Sequence, residues 1–231
     1  MKNNVTAILF ALLVGALCLM PPDRTVARAS DSAPPVSVLT LEKILAGIEN
    51  RYAAPGFSAR FEQVSTIKAM DISDSASGEI FVKRPGKMRW VYERPDRQTI
   101  ITDGKTLWVY KPDDRQVILG GYPTFFGDGK GAGFLTDMKL IRETFNIRLN
   151  GVDGNGDYML ILLPKKKTFS ISIVRLLISE KAFDILEITT ANADGDETRI
   201  RLKGIRFLET LSDALFSFEI PEGVDVLRME Q

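Results

Sequence analysis

Histidine is absent from all 231 residues of the chain. That absence excludes Ser-His-Asp and Cys-His catalysis, and it removes the commonest zinc and iron ligand. Cysteine is almost absent as well. The single one, Cys18, lies in an apolar N-terminal run, so the mature chain is expected to carry no thiol and to form no disulfide. Neither sign of charge is in excess, with 30 basic and 30 acidic residues. That balance points to neither nucleic acid nor an anionic membrane surface.

The N-terminus has the order of a secretory signal. Lys2 precedes an almost unbroken apolar stretch from Val5 to Met20, Pro21-Pro22 closes it, and Ala27-Arg28-Ala29 stands before Ser30 as an A-x-A site. A transmembrane helix would need about 20 apolar residues. Residues 1–29 therefore read as a cleaved signal peptide. A lipoprotein signal would place a small residue before Cys18, and Leu17 stands there. Removing residues 1–29 leaves 27 basic and 29 acidic residues, a net charge of −2. Residues 30–39 form a short linker, and 40–231 a single domain.

Beyond the linker lie one helix and then strands. Leu41, Ile44, Leu45, Ile48 and Tyr52 share a face over residues 40–52, with Thr40 as the N-cap. From Phe57 the apolar period becomes two. Phe57, Ala59 and Phe61 alternate with polar residues, as do Ile80 and Val82, and then Met88, Trp90 and Tyr92. Short strands come next at 98–102, 106–110 and 116–120, separated by turns such as Arg84-Pro85-Gly86, Arg94-Pro95-Asp96 and Asp103-Gly104-Lys105. The pattern breaks at 121–138, where glycines alternate with phenylalanines, and a helical patch with Leu140, Ile141 and Phe145 succeeds it. Strands then resume at 146–151, 157–164, 169–179, 183–191, 197–208 and 215–219. This spacing predicts a mostly-β antiparallel fold of about 11–12 strands, interrupted once by an apolar insert.

Several fragments imitate motifs of other chemistries. Gly127, Gly129 and Ala132 fit G-x-G-x-x-A, but no βαβ unit surrounds them. Gly104-Lys105-Thr106 resembles the end of a P-loop whose first glycine is replaced by Thr99. Asp153, Asn155 and Asp157 begin like a calcium loop, yet Tyr158 and Pro164 occupy the positions of its glycine and bidentate glutamate. Carboxylate pairs could serve a glycosidase, but the acidic residues fall mostly in turns and on polar strand faces. No metal, cofactor or enzymatic activity is expected.

Three ordered stretches carry a resemblance: Phe61-Glu62-Gln63, Gly78-Glu79-Ile80-Phe81-Val82-Lys83-Arg84-Pro85-Gly86-Lys87-Met88-Arg89-Trp90, and Asp103-Gly104-Lys105-Thr106-Leu107-Trp108-Val109-Tyr110. Together with Phe134 to Phe145 and Phe216 to Val224, they resemble the outer-membrane lipoprotein carrier family, LolA, over residues 40–226. The resemblance implies an incomplete, unclosed antiparallel β-barrel in the periplasm, with an N-terminal helix and a short helical lid over an apolar cavity for acyl chains. It further implies a monomer that takes acylated lipoproteins from an inner-membrane lipoprotein-releasing ABC transporter and passes them to an outer-membrane acceptor lipoprotein. Arg84 would latch the lid, and Phe216 to Val224 would be the last strand. Met88 stands where the family often has an aromatic residue.

These elements have physical roles in such a carrier. Phe61, Ile80, Val82, Met88, Trp90 and Tyr92 would floor the cavity. Phe125, Phe126, Phe134, Leu135, Leu140 and Ile141 would face inward from the lid, with glycines 127–133 as hinges. A guanidinium at Arg84, with five donors, could hold lid carbonyls. The same fold would also suit a carrier of a glycolipid or another acylated lipid, or an envelope sensor, whereas a lipid hydrolase is disfavoured by the missing histidine.

Overall fold

The computed structural model describes residues 39–121, 133–166 and 169–229, all within one compact unit, Val38–Gln231. Helix α1 (Leu41–Arg51) buries Ile44, Leu45 and Ile48, the spacing expected of an amphipathic stripe. Thr40 is its N-cap, but through the backbone alone: the Thr40 carbonyl accepts from the Ile44 amide at 3.1 Å. The C-terminal end is fixed by two residues. The Tyr52 hydroxyl accepts from the Ile185 amide at 3.0 Å, and its ring packs edge-on against Phe57 and Phe207. Burial drives that phenol above the ordinary tyrosine range. Arg51 pairs with Asp184 at 2.7 Å and lies over the Phe207 ring.

Twelve strands make up the rest: β1 (Gly56–Ile67), β2 (Ile72–Lys83), β3 (Lys87–Arg94), β4 (Gln98–Thr102), β5 (Thr106–Lys111), β6 (Gln116–Gly121), β7 (Phe145–Val152), β8 (Tyr158–Pro164), β9 (Ile173–Ile178), β10 (Ile185–Ala191), β11 (Glu197–Leu208) and β12 (Asp225–Arg228). They form one sheet in the order β12-β6-β5-β4-β3-β2-β1-β11-β10-β9-β8-β7. The sheet does not close, because β12 and β7 end it. Residues from β1 to β5 and from β8 to β11 nevertheless share one apolar core with α1. The sheet therefore curls around that core as an incomplete barrel. A second helix, α2 (Lys139–Thr144), precedes β7.

Two departures from the sequence pattern have physical reasons. The β1–β2 hairpin pairs along its whole length, from Gly56↔Lys83 to Ile67↔Ile72, well beyond the alternating apolar residues. Its outer half carries Ser65, Thr66, Ser73, Asp74 and Ser75, so no apolar period marks it. The backbone ladder holds it instead, with Thr66 and Ser73 hydroxyls 2.7 Å apart.

The other departure is at the C-terminus, where the expected strand at 215–219 does not form. Asp213–Phe216 is a 3₁₀ turn, and the last strand is β12, which pairs with β6 in parallel while every other neighbouring pair is antiparallel. Lys83 and Lys87 both lie 2.7 Å from Asp213 Oδ1, and Arg89 Nη1 donates to the Leu215 carbonyl at 3.1 Å. The two ammonium groups hold the Asp213 carboxyl down to about 2. Arg89 alternates with Trp90, so these bonds strap the segment across the face of the sheet opposite the core. Phe216 is buried there, and Phe218 packs on Tyr110.

Candidate functional site

Strand register assembles the floor. Ala59, Ile80, Trp90, Ile100 and Val109 lie in one cross-strand row over β1 to β5, and Val82, Met88, Thr102 and Leu107 in the next. Phe61 pairs with Gly78, which pairs with Tyr92. Phe61, Ile80, Val82, Met88 and Trp90 are all buried in the core, with Tyr92 partly buried against it. Phe61 meets Trp90 and Tyr92 edge-on at 4.8 and 4.9 Å. Gly78 makes this cluster possible: a Cβ there would lie 1.8 Å from the Val91 carbonyl oxygen, at a register shift in β2–β3, and 3.1 Å from the Phe61 ring. The Tyr92 hydroxyl donates to Gln63 Oε1 at 3.1 Å, and burial raises its pKa to about 12. Trp90 Nε1 is buried with no hydrogen-bond partner among the described residues.

The segment expected to form the lid shares the core of this floor. Phe134, Leu135, Met138, Ile141 and Phe145 are buried in the same core. Ile141 is the buried position of α2, while Phe134 and Leu135 lie in a 3₁₀ turn before it and Phe145 begins β7. Leu140 falls off the buried face of α2. Expected to point inward, it is 36% exposed, because helical geometry turns the residue before Ile141 toward solvent. Phe125 and Phe126, and glycines 127, 129 and 131, lie outside the described residues.

Arg84 stands where three elements meet. Its Nη1 donates to the Ala54 carbonyl, its Nη2 to the Leu135 carbonyl at 3.3 Å, and its guanidinium lies 5.8 Å from the Tyr52 ring centroid. Its Nε is buried without a partner among the described residues. Burial pulls the guanidinium below the usual arginine range, with Tyr52 and Asp137 partly opposing that. A cation held by backbone carbonyls, without a bonded carboxylate, costs free energy that a purely structural turn would not need. The turn is set from both sides: Gly86 and Gly104 have φ of +71° and +93°, and a Cβ on Gly86 would come 3.2 Å from Gly104. Asp103 Oδ1 accepts from the amides of Lys105 and Thr106, each at 2.8 Å, which shapes the second turn.

A second clasp has no counterpart in the expectations. Arg142 on α2 binds Glu49 through Nε and Glu42 through Nη1, the latter at 2.9 Å. These bonds raise the Arg142 pKa, Glu49 first. Glu42 and Glu49 are seven residues apart and share one face of α1, which is the signal that could have pointed to a cation opposite them. A cleft of about 480 Å³ opens between α1 and the lid, lined by Glu49, Tyr52, Arg84, Met138 and Arg142 among others.

With this geometry in view, likeness to known proteins decides the family. The profile described as "Outer membrane lipoprotein carrier protein LolA" matches residues 53–219, which span the floor, Arg84 and the lid. The chain belongs to the LolA family. An outer-membrane lipoprotein carrier protein of Nitrosomonas europaea is 30% identical over 224 residues, covering 97% of this chain and 100% of that protein. One from Chromobacterium violaceum is 30% identical over 209 residues, covering 90% of this chain and 97% of that protein. The fold alone is shared with an uncharacterized conserved protein of Thermus thermophilus. That crystal structure superposes with a TM-score of 0.53 at 12% identity, over 81% of this chain and 98% of the other.

Proposed function

We propose that this LolA-family chain is a periplasmic carrier that shields the acyl chains of lipoproteins released from the inner membrane and delivers them to the outer membrane. The observation that carries the proposal is the lid. Phe134, Leu135, Met138 and Ile141 are buried in the same core as Trp90, yet side chains, not strand pairing, tie them down. An acyl chain of about 15 methylenes would lose on the order of 12 kcal/mol in water. Four lid side chains represent about 6–12 kcal/mol of burial on the same scale. Exchanging lid for cargo inside the barrel is therefore close to neutral, and the two arginine clasps can bias it.

Arg84 would act as the latch of the closed state, and the floor residues Phe61, Ile80, Val82, Met88, Trp90 and Tyr92 would contact the acyl chains. Residues 1–29 would direct export and be removed. Because the exchange is nearly neutral, direction must come from the partners: an energised inner-membrane transporter as donor, and an outer-membrane acceptor that holds the lipid more tightly. Nothing in that cycle needs catalysis by the carrier itself.

The test is release from spheroplasts. Mature protein added to spheroplasts holding newly made lipoproteins should yield a soluble one-to-one complex. Folded protein that binds an apolar fluorescent probe but releases no lipoprotein would redirect the function to another acylated lipid. Failure to bind the probe would overturn the cavity.

A further inference from the structure

We propose that the indole Nε1–H of Trp90 donates to an acyl carbonyl of the cargo, so that the floor reads how an acyl chain is linked and not its hydrocarbon alone. The inference deepens the carrier reading and rests on it. Among the described residues, two buried side-chain donors lack a hydrogen-bond partner, Arg84 Nε and Trp90 Nε1. The Arg84 guanidinium is bonded through its other nitrogens, whereas Nε1 is the one polar atom of the Trp90 side chain. Trp90 is only 2% exposed, so bulk water does not reach that donor.

The surroundings offer that donor nothing. Its cross-strand row holds Ala59, Ile80, Ile100 and Val109, whose side chains carry no acceptor. The rings of Phe61 and Tyr92, at 4.8 and 6.5 Å, are weak acceptors at best. The polar pair in the adjoining row is closed on itself: the Tyr92 hydroxyl donates to Gln63 Oε1, and Gln63 Nε2 donates to Ser65 Oγ at 3.1 Å. Phenylalanine would give the same apolar surface without an unpaired donor, so packing alone does not account for the nitrogen. The side chains of Phe134, Leu135, Met138 and Ile141, which share this core, bring no oxygen either. An acyl chain does, because it begins at a carbonyl whether its linkage is ester or amide. Trp90 pairs with Ile80, three residues before β2 ends at Lys83 and the Arg84 turn begins. A carbonyl bonded there sits about 10 Å inside that end of the strand. The indole thus sets how deep the chain seats.

The experiment displaces an apolar fluorescent probe from the mature chain with methyl palmitate and with octadecane, an acyl ester and a hydrocarbon of equal chain length. Trp90→Phe should weaken the ester about tenfold more than it weakens the hydrocarbon. A second measurement uses the wild type alone. Trp90 and Trp108 are its only tryptophans, and Trp108 packs toward Phe218 on the opposite face of the sheet. In a spectrum of ¹⁵N-labelled protein, the Trp90 indole proton should move downfield with the ester and not with octadecane, while that of Trp108 stays in place. Equal weakening of both ligands in Trp90→Phe would overturn the indole's role and leave the cavity standing. So would a Trp90 signal already at a hydrogen-bonded position and unmoved by the ester, which would assign the donor to a trapped water. Displacement of the probe by neither ligand would overturn the cavity, and the carrier reading with it.

Discussion

The floor and the lid are buried to the same degree and held in opposite ways. Trp90 and Ile80 sit in strands bonded on both sides, within cross-strand rows running from β1 to β5. Leu135 and Ile141 are equally inaccessible, yet the lid enters no sheet pairing before Phe145. What retains it is Arg84 on the Leu135 carbonyl, Arg142 on the carboxylates of α1, Lys165 on the Thr144 and Arg142 carbonyls, and apolar contact. Burial alone thus says little about what moves. A segment whose retention rests on side chains can open without unfolding the sheet, whereas the floor opens only with global unfolding.

The most severe way to break this contrast is to charge each region in turn. Trp90→Glu places an unpaired carboxylate among Phe61, Ile100 and Tyr92, and should lower stability by about 4 kcal/mol or more. It should also abolish binding of an apolar probe. Leu135→Glu is equally buried, but its penalty cannot exceed the free energy of lifting the lid, after which the carboxylate is in water. Urea unfolding should show a much smaller loss, with faster proteolytic cutting near residue 135. Equal losses in both variants would mean that lid and floor form one cooperative unit.

An intermediate effect belongs to Arg84→Leu. Two hydrogen bonds to a charged donor contribute about 1.5–3 kcal/mol each, offset by releasing a partly desolvated cation. Amide exchange over residues 134–141 should accelerate by roughly 10- to 100-fold while global stability changes little. If Arg84 is the latch proposed above, hand-off to an acceptor should slow, because closure would then oppose retention of the cargo. Transfer at the wild-type rate in this variant would remove the latch role from Arg84.

Much of the floor is legible in the residues alone. Period-two alternation of Phe57, Ala59 and Phe61, and of Met88, Trp90 and Tyr92, is a direct consequence of the pleat. Gly78, Gly86 and Gly104 occupy positions where a side chain would clash or strain, which is why glycines punctuate those stretches. The lid is only half legible. Its apolar content is plain, but which residue faces inward depends on where α2 begins, and the composition around Leu140 does not mark that boundary. The outer half of the β1–β2 hairpin has no apolar signal to read. Nor does the segment at Asp213–Phe216, whose conformation is set by Lys83, Lys87 and Arg89 more than 120 residues away. For Arg142 the sequence offers only the spacing of Glu42 and Glu49 on one face of α1, because these partners lie on another helix, about a hundred positions earlier in the chain.

The smallest and sharpest test separates the two clasps by their screening. Arg84 bonds neutral carbonyls from a partly buried site, whereas the Arg142 side chain is 37% exposed and its partners Glu49 and Glu42 are 35% and 75% exposed. Exposed pairs of this kind contribute about 0.2–1 kcal/mol, so Arg142→Gln should speed lid exchange by no more than about fivefold. Salt is the more telling variable. Between 0.1 and 1 M the Debye length falls from about 10 to about 3 Å, which weakens the α1 clasp and leaves the carbonyl latch nearly untouched. Lid exchange in the wild type and in Arg84→Leu should therefore rise with salt, and in Arg142→Gln it should not. Salt dependence that survives in Arg142→Gln would place the screened interaction elsewhere on the lid, and Arg142 would then be a surface charge with no part in holding it closed.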